Sequence, residues 1–184
     1  MLTYPYEILK ARLTAEITEQ REIDWFLDQL NPKDKNASVV AAPAIYIEFL
    51  PLTMRDLGGK LQSADAEFNI YLATENVMDS GKRMKKDSPL DHMRIFDKIN
   101  KSLNGFSAKL SILPEFVGLL NTSQDQCVMN SCTRVGITPP HQMRKGIMVS
   151  VQRFSTIIWD HAAAKQYTVL TPKPLAEIVI NNWD

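Results

Sequence analysis

The chain has 184 residues, enough for one domain with a single substantial core and too few for two well-filled ones. Its 21 Lys and Arg balance 21 Asp and Glu, so no global basic field draws in nucleic acid or an anionic membrane, and any such contact must be local. No run approaches the roughly 18 apolar residues that span a bilayer, and the opening Met1-Leu2-Thr3-Tyr4-Pro5 lacks a positive segment followed by an apolar one. The expectation is a soluble protein made in a reducing cytoplasm, with no membrane partner.

From about Tyr4 to Leu30, stepping at the helical period brings Tyr6, Leu9, Leu13, Ile17, Ile23, Leu27 and Leu30 onto one stripe, which predicts a long helix lying on a sheet. Glu16 and Gln20 fall within that stripe, so either the helix lifts off the core there or those groups meet polar partners. Asn31-Pro32-Lys33-Asp34 stops it, because proline cannot continue the ladder and disfavours helical backbone before it.

Ile45, Ile47 and Phe49 alternate with Tyr46 and Glu48, and Ala66, Phe68, Ile70 and Leu72 alternate with Glu67, Asn69 and Tyr71. Period two marks half-buried strands, here a long hairpin with Pro51 at an edge or bend and Gly58-Gly59 near the turn. The stretch Gly81-Lys82-Arg83-Met84-Lys85-Lys86-Asp87 is too hydrophilic to pack and reads as a loop. Ser88-Pro89-Leu90-Asp91 then starts a helix: Ser88 as cap, Pro89 in the first turn, Asp91 against the free amides. His92, Ile95, Phe96, Ile99, Leu103 and Phe106 form its inward stripe, Arg94, Asp97, Lys98 and Lys101 face water, and Gly105 closes it.

An irregular stretch through Pro114 and Gly118 follows, then a strand near Gln126 to Val135, a Thr138-Pro139-Pro140-His141 loop, and a long strand from Gly146 to Asp160. In that strand Ile147, Val149 and Val151 share one parity and Phe154 and Ile158 the other, so a bulge near Gln152-Arg153 is expected. Beyond Ala162, Pro172 and Pro174 space an extended arm that ends in the apolar strand Leu175-Ala176-Glu177-Ile178-Val179-Ile180. The expected architecture is α+β: a mostly antiparallel sheet of two long hairpins with two amphipathic helices packed on one face. Residues 1–160 form one domain and 161–184 the arm.

Chemistry is sparse. No nucleophile elbow, phosphate loop or dinucleotide fingerprint occurs, and Gly58-Gly59 is a turn before it is a phosphate cradle. His92, His141 and His161 stand far apart, none at metal spacing; His92 reads as a core-edge residue with a satisfied ring nitrogen, the others as loop contacts. Cys127 and Cys132, five apart on what looks like a strand, point to opposite faces and neither pair nor share a metal. Asp65 and Glu67 share a strand face and suggest a metal-dependent nuclease, but Asn69 occupies the position where a lysine is wanted, so a solvated face is preferred. No catalytic residue, cofactor or metal is expected, and the protein is read as not an enzyme.

Two features remain for partner binding. Lys82, Arg83, Lys85 and Lys86 suit an acidic protein surface, though a solvated connection is the plainer reading, and no aromatic residue interleaves them as a single-strand platform would need. Leu175, Ile178 and Ile180 suit addition to a sheet edge of a neighbouring copy or ring.

Four strings carry a family resemblance: Pro43-Ala44-Ile45-Tyr46-Ile47-Glu48; Glu67-Phe68-Asn69-Ile70-Tyr71-Leu72; the helix from His92 through Leu103-Asn104-Gly105-Phe106; and Val149-Ser150-Val151-Gln152-Arg153-Phe154 through Trp159-Asp160. Over most of residues 1–160 the chain resembles the tail terminator, or tail completion, proteins of long-tailed bacteriophages. The resemblance implies a structural virion protein, assembled in the host cytoplasm. It would form a homohexameric ring that caps the tail tube and joins it to the neck. Its partners would be further copies of itself, the tail tube protein and the neck or connector protein, with DNA passing through the lumen without sequence-specific contact. The irregular stretch after Phe106 and the arm after Asp160 depart from shorter members of the family. Alternatives are another head-tail connector, stopper or injection-system ring protein, and, further off, a nucleic-acid-binding module or nuclease built from distant segments.

Overall fold

The computed structural model describes residues 2–30, 40–58, 62–75, 88–109, 127–144 and 147–160. They form an α+β fold of α1 (Thr3–Glu16), β1 (Glu22–Trp25), β2 (Ala44–Phe49), β3 (Thr53–Asp56), β4 (Gln62–Glu75), α2 (Ser88–Leu103), β5 (Ala108–Lys109), β6 (Cys127–Met129), β7 (Thr133–Arg144) and β8 (Ile147–Asp160). The strands make one curled, mostly antiparallel sheet in the order β1-β2-β4-β8-β6-β5, with β3 also on β4 and β7 also on β8. Its axis is the β4/β8 ladder, in register from Gln62↔Asp160 to Glu75↔Ile147. β2 and β3 line successive halves of β4, with Pro51 in the gap between them, and β7 and β6 line β8. Among the described residues β1 on β2 is the one parallel pair.

Alternation along the strands divides the interior in two. Ile45, Ile47, Phe68, Ile70, Leu72 and Phe154 join Ile8, Leu9 and Leu13 of α1 and Ile95, Phe96, Ile99 and Leu103 of α2 in the main core. An aromatic row crosses it, from Tyr6 through Trp25, Phe49 and Phe68 to Phe154, with ring centroids 5.1 to 5.7 Å apart. A smaller core of Leu30, Val40, Ala42, Ala44, Tyr46, Ala73 and Val149 uses the opposite parity of β2, β4 and β8. The two helices are tied by Arg12 donating to the Ser102 carbonyl at 3.3 Å, and an ion pair joins Lys98 of α2 to Glu19 in the turn after α1.

α2 spans the expected residues. Gly105 has φ +82, the left-handed C-cap conformation, and its amide donates to the Cys132 carbonyl at 2.8 Å. Four expectations are corrected. The first helix stops at Glu16 rather than Leu30: Ile17 is already extended, Ile23 lies in β1, and Leu27 is 75% exposed. Glu16, the polar break in the stripe, pairs with Arg12 at 2.9 Å on the helix surface. Helical spacing persisted past the end because Ile23 enters the same core from a strand.

The strand expected near Gln126 to Val135 is split between β6 and β7, and Cys132 lies in the connection. Thr138-Pro139-Pro140-His141 is part of β7, not a loop. Prolines are tolerated there because, among the described residues, β7 pairs with β8 alone, so their missing amides can fall on the unpaired side or at an irregularity. The expected bulge at Gln152-Arg153 is not in the β4/β8 ladder, which runs unbroken. Irregularity sits in β7, at Arg134/Gly136, Thr138/His141 and Gln142/Arg144. The change of apolar parity in β8 has another cause: Val149 serves the smaller core and Phe154 and Ile158 are buried on the other parity, where Ser150 and Gln152 are buried polar.

The Asn31-Pro32 stop, Gly59, the loop through Lys82, Arg83, Lys85 and Lys86, the stretch with Pro114 and Gly118, His161, and the arm with Leu175, Ile178 and Ile180 lie outside the described residues.

Candidate assembly surfaces

The inward stripe of α2 brings His92 over β4 and β8, where both ring nitrogens are engaged: Nδ1 lies 2.8 Å from Thr74 Oγ1 and Nε2 lies 2.8 Å from Ser150 Oγ. His92 is fully buried, and desolvation of the imidazolium lowers its pKa from 6.5 to about 4. The ring is therefore neutral at pH 7. A hydroxyl beside an imidazole has the separation of a nucleophile and its base, but Ser150 is as buried as the histidine. What this seam does is fix α2 to the sheet, helped by Gln152 Nε2 donating to the Phe96 carbonyl at 2.7 Å.

The other parity of β4 and β8 carries a polar network. Glu48 Oε2 accepts from Asn69 Nδ2 at 2.8 Å and from Tyr71 Oη at 2.6 Å, Arg153 Nε donates to Asn69 Oδ1 at 3.3 Å, and Arg153 lies 3.8 Å from Glu67. Burial first, then the Glu48 carboxylate, raises the Tyr71 pKa; burial first, then Glu22, raises that of Tyr46. Phe26 stacks on Tyr71 with ring centroids 4.2 Å apart. Asp65 and Glu67 do share this face, yet Asp65 forms an ion pair with Arg55 and Glu67 faces Arg153, which makes them members of a solvated charged surface.

An open groove of about 1020 Å³ runs where the flanking strands break, lined by Leu50 and Pro51 on one side and Asn130, Ser131 and Thr133 on the other. Asn130 organises that side: its Oδ1 accepts from Trp159 Nε1 at 3.0 Å and from Cys127 Sγ at 3.2 Å, and its carbonyl accepts from Thr156 at 2.7 Å. Cys127 and Cys132 are not joined in a disulfide, and desolvation raises the pKa of both, Cys132 to about 11, away from the thiolate form that reacts. His141 is exposed, with Nδ1 3.1 Å from the Pro139 carbonyl. Among the described residues no three His, Cys, Asp or Glu side chains gather as metal ligands would, and no helix is long and apolar enough to cross a membrane.

No protein-family model and no curated protein sequence matches the chain. Among the described residues four strands have one neighbour each, β1, β3, β5 and β7, and two of them stand out as surfaces for assembly. β1 pairs only with β2 and β7 only with β8 among the described residues, and each carries or adjoins exposed apolar side chains: Leu27 beside β1, and Val135 and Ile137, each 52% exposed, on β7. The β1 edge was concealed by the helical spacing of Ile17, Ile23 and Leu27. The β7 edge was signalled by Pro139-Pro140, residues that an inner strand rejects.

Proposed function

We propose that the protein is a structural virion subunit of a long-tailed bacteriophage, a tail terminator that assembles into a ring, caps the tail tube and joins it to the neck. The observation that carries this reading is that the four strings resembling that family are neighbours in the fold: three belong to β2, β4 and β8, consecutive in the sheet, and the fourth is α2, whose His92 bonds to β4 and β8. In the ring the sheet is two long hairpins with both helices on one face, and its edges meet adjacent subunits. Lys82, Arg83, Lys85 and Lys86 dock on an acidic partner surface, and the arm through Leu175, Ile178 and Ile180 adds to a neighbouring subunit or ring. Loops reach the last tube ring and the connector, and DNA passes through the lumen without sequence readout. Quantitative mass spectrometry of purified particles tests this reading: a small fixed copy number per particle, equal to that of a single ring, is expected. A protein found in infected cells but in no particle would refute it.

A further inference from the structure

Two of the edge strands among the described residues, β1 and β7, are complementary to each other and not to themselves. β1 carries Glu22 and Asp24, with Asp28 just beyond, whereas the described side chains of β7 include Arg134 and His141 and no carboxylate; Arg134 reaches Gln152 Oε1 at 3.5 Å and its amide donates to Asn104 Oδ1 at 3.2 Å, so the amides left for a partner lie beyond it. Asp24 is exposed; its carboxylate accepts from the Tyr6 hydroxyl at 3.1 Å and from the Trp25 amide at 2.7 Å. Of the six large apolar side chains exposed among the described residues, Leu27 adjoins the first edge, and Val135 and Ile137 lie on the second.

Strand direction fits as well. β1 runs with β2, and β2, β4, β8 and β7 alternate, so β1 and β7 run in opposite directions in one subunit. A rotation about an axis along the strands keeps those directions, so β7 of one copy would meet β1 of the next as an antiparallel ladder. The six residues of β7 before Pro139 are long enough to oppose the four of β1, and Pro139-Pro140 limits the ladder beyond them. Pairing β1 with β1 would bring Glu22 and Asp24 of two copies onto one short ladder, and pairing β7 with β7 would bring two copies of Arg134 onto another, with no opposite charge on either to offset them. Like charges directly opposed across strands are destabilising.

We propose that the partner of each edge is the other edge of a second copy of this chain: β7 of one subunit pairs with β1 of the next, giving a head-to-tail contact that continues the sheet and covers Leu27, Val135 and Ile137. Such a heterologous contact propagates until it closes as a ring or grows as a filament. It goes beyond the terminator reading, since it requires only self-association and would stand in a protein with another role.

The test is sedimentation velocity on the full chain across a concentration series, for the wild type, Asp24→Lys, Arg134→Glu, an equimolar mixture of those two, an equimolar mixture of Asp24→Lys with the wild type, and the chain carrying both. The wild type is expected to associate with rising concentration, more weakly at high salt. Each single reversal turns an attraction into a repulsion and weakens association by about tenfold. The mixture of the two single variants and the double variant restore opposite charges at every junction and recover assembly, which also shows that the substitutions leave the chain folded. A wild type that stays monomeric throughout overturns the edge pairing and leaves the terminator reading to its own test. Recovery when Asp24→Lys is mixed with wild type, with Arg134→Glu inert, would mean like-edge pairing through β1 and would equally overturn it.

Discussion

Lowering the pH should destabilise the fold through one identifiable group. His92 is buried between Thr74 and Ser150, and burial holds its pKa at about 4 against 6.5 for an exposed imidazole. Above pH 6.5 the ring is neutral in both folded and unfolded chains and adds no pH dependence. Below it the unfolded chain takes up a proton that the folded one refuses, so stability falls as the pH drops from 6.5 towards 4 and levels off beneath. At about 1.36 kcal/mol per unit of pKa difference, the loss from this ring is about 1 kcal/mol at pH 5.5 and about 2–3 kcal/mol at pH 4.5. Urea unfolding followed by tryptophan fluorescence, at fixed protein concentration so that self-association does not shift the midpoint, measures the fall. Carboxylates contribute their own slope, so His92→Gln is the control. Its amide can still serve the two hydroxyls, and it removes the titration. The wild-type curve should descend towards that of the variant as pH falls, closing the gap by about 2–3 kcal/mol between pH 7.5 and 4.5. Parallel curves over that range would refute the reasoning, because they would mean that the folded protein accepts the proton as readily as the unfolded chain does.

Other consequences follow from the same geometry. Phe154→Ala should cost about 3–5 kcal/mol by urea unfolding, since the ring is fully buried and stacks on Phe68 at 5.5 Å, and its loss leaves a cavity at the end of the aromatic row. Gly105→Ala should cost about 1 kcal/mol in the same assay: the added Cβ meets nothing within 4 Å, so the penalty is that of the φ +82 backbone alone. Reversing the charges of Lys82, Arg83, Lys85 and Lys86 together should leave the melting temperature within a few degrees and abolish capture of the partner that the basic loop docks on, read by pull-down from infected cells.

The sequence discloses α2 almost to the residue because every local signal agrees there: Pro89 in the first turn, an apolar stripe from His92 to Leu103, and Gly105 after it. β2 and β4 are equally legible, since each has one face on the main core and period two survives. The failures share a cause. Ile23 sits at helical spacing from Ile17 yet reaches the core from β1, and β8 changes apolar parity because two cores lie on opposite sides of one straight strand. Spacing reports which residues are buried without reporting by what, so a second core reads as a bulge and a strand as one more turn of helix. The polar side of the interior was partly visible. His92 is legible as a buried histidine on the stripe, but its partners Thr74 and Ser150 look like ordinary strand residues until the register aligns them. Of the surfaces proposed for assembly, the basic loop was conspicuous by charge, and the β1 edge had no signal of its own.

The central claim is a ring at the capsid-proximal end of a phage tail tube, and a cryo-EM reconstruction of the particle bearing this protein examines it most directly. The proposed function requires density for the eight-stranded sheet and α2 in a closed ring between the last tube ring and the neck, with neighbouring sheets joined edge to edge. Particles whose tail and neck densities are fully accounted for by other chains would contradict it.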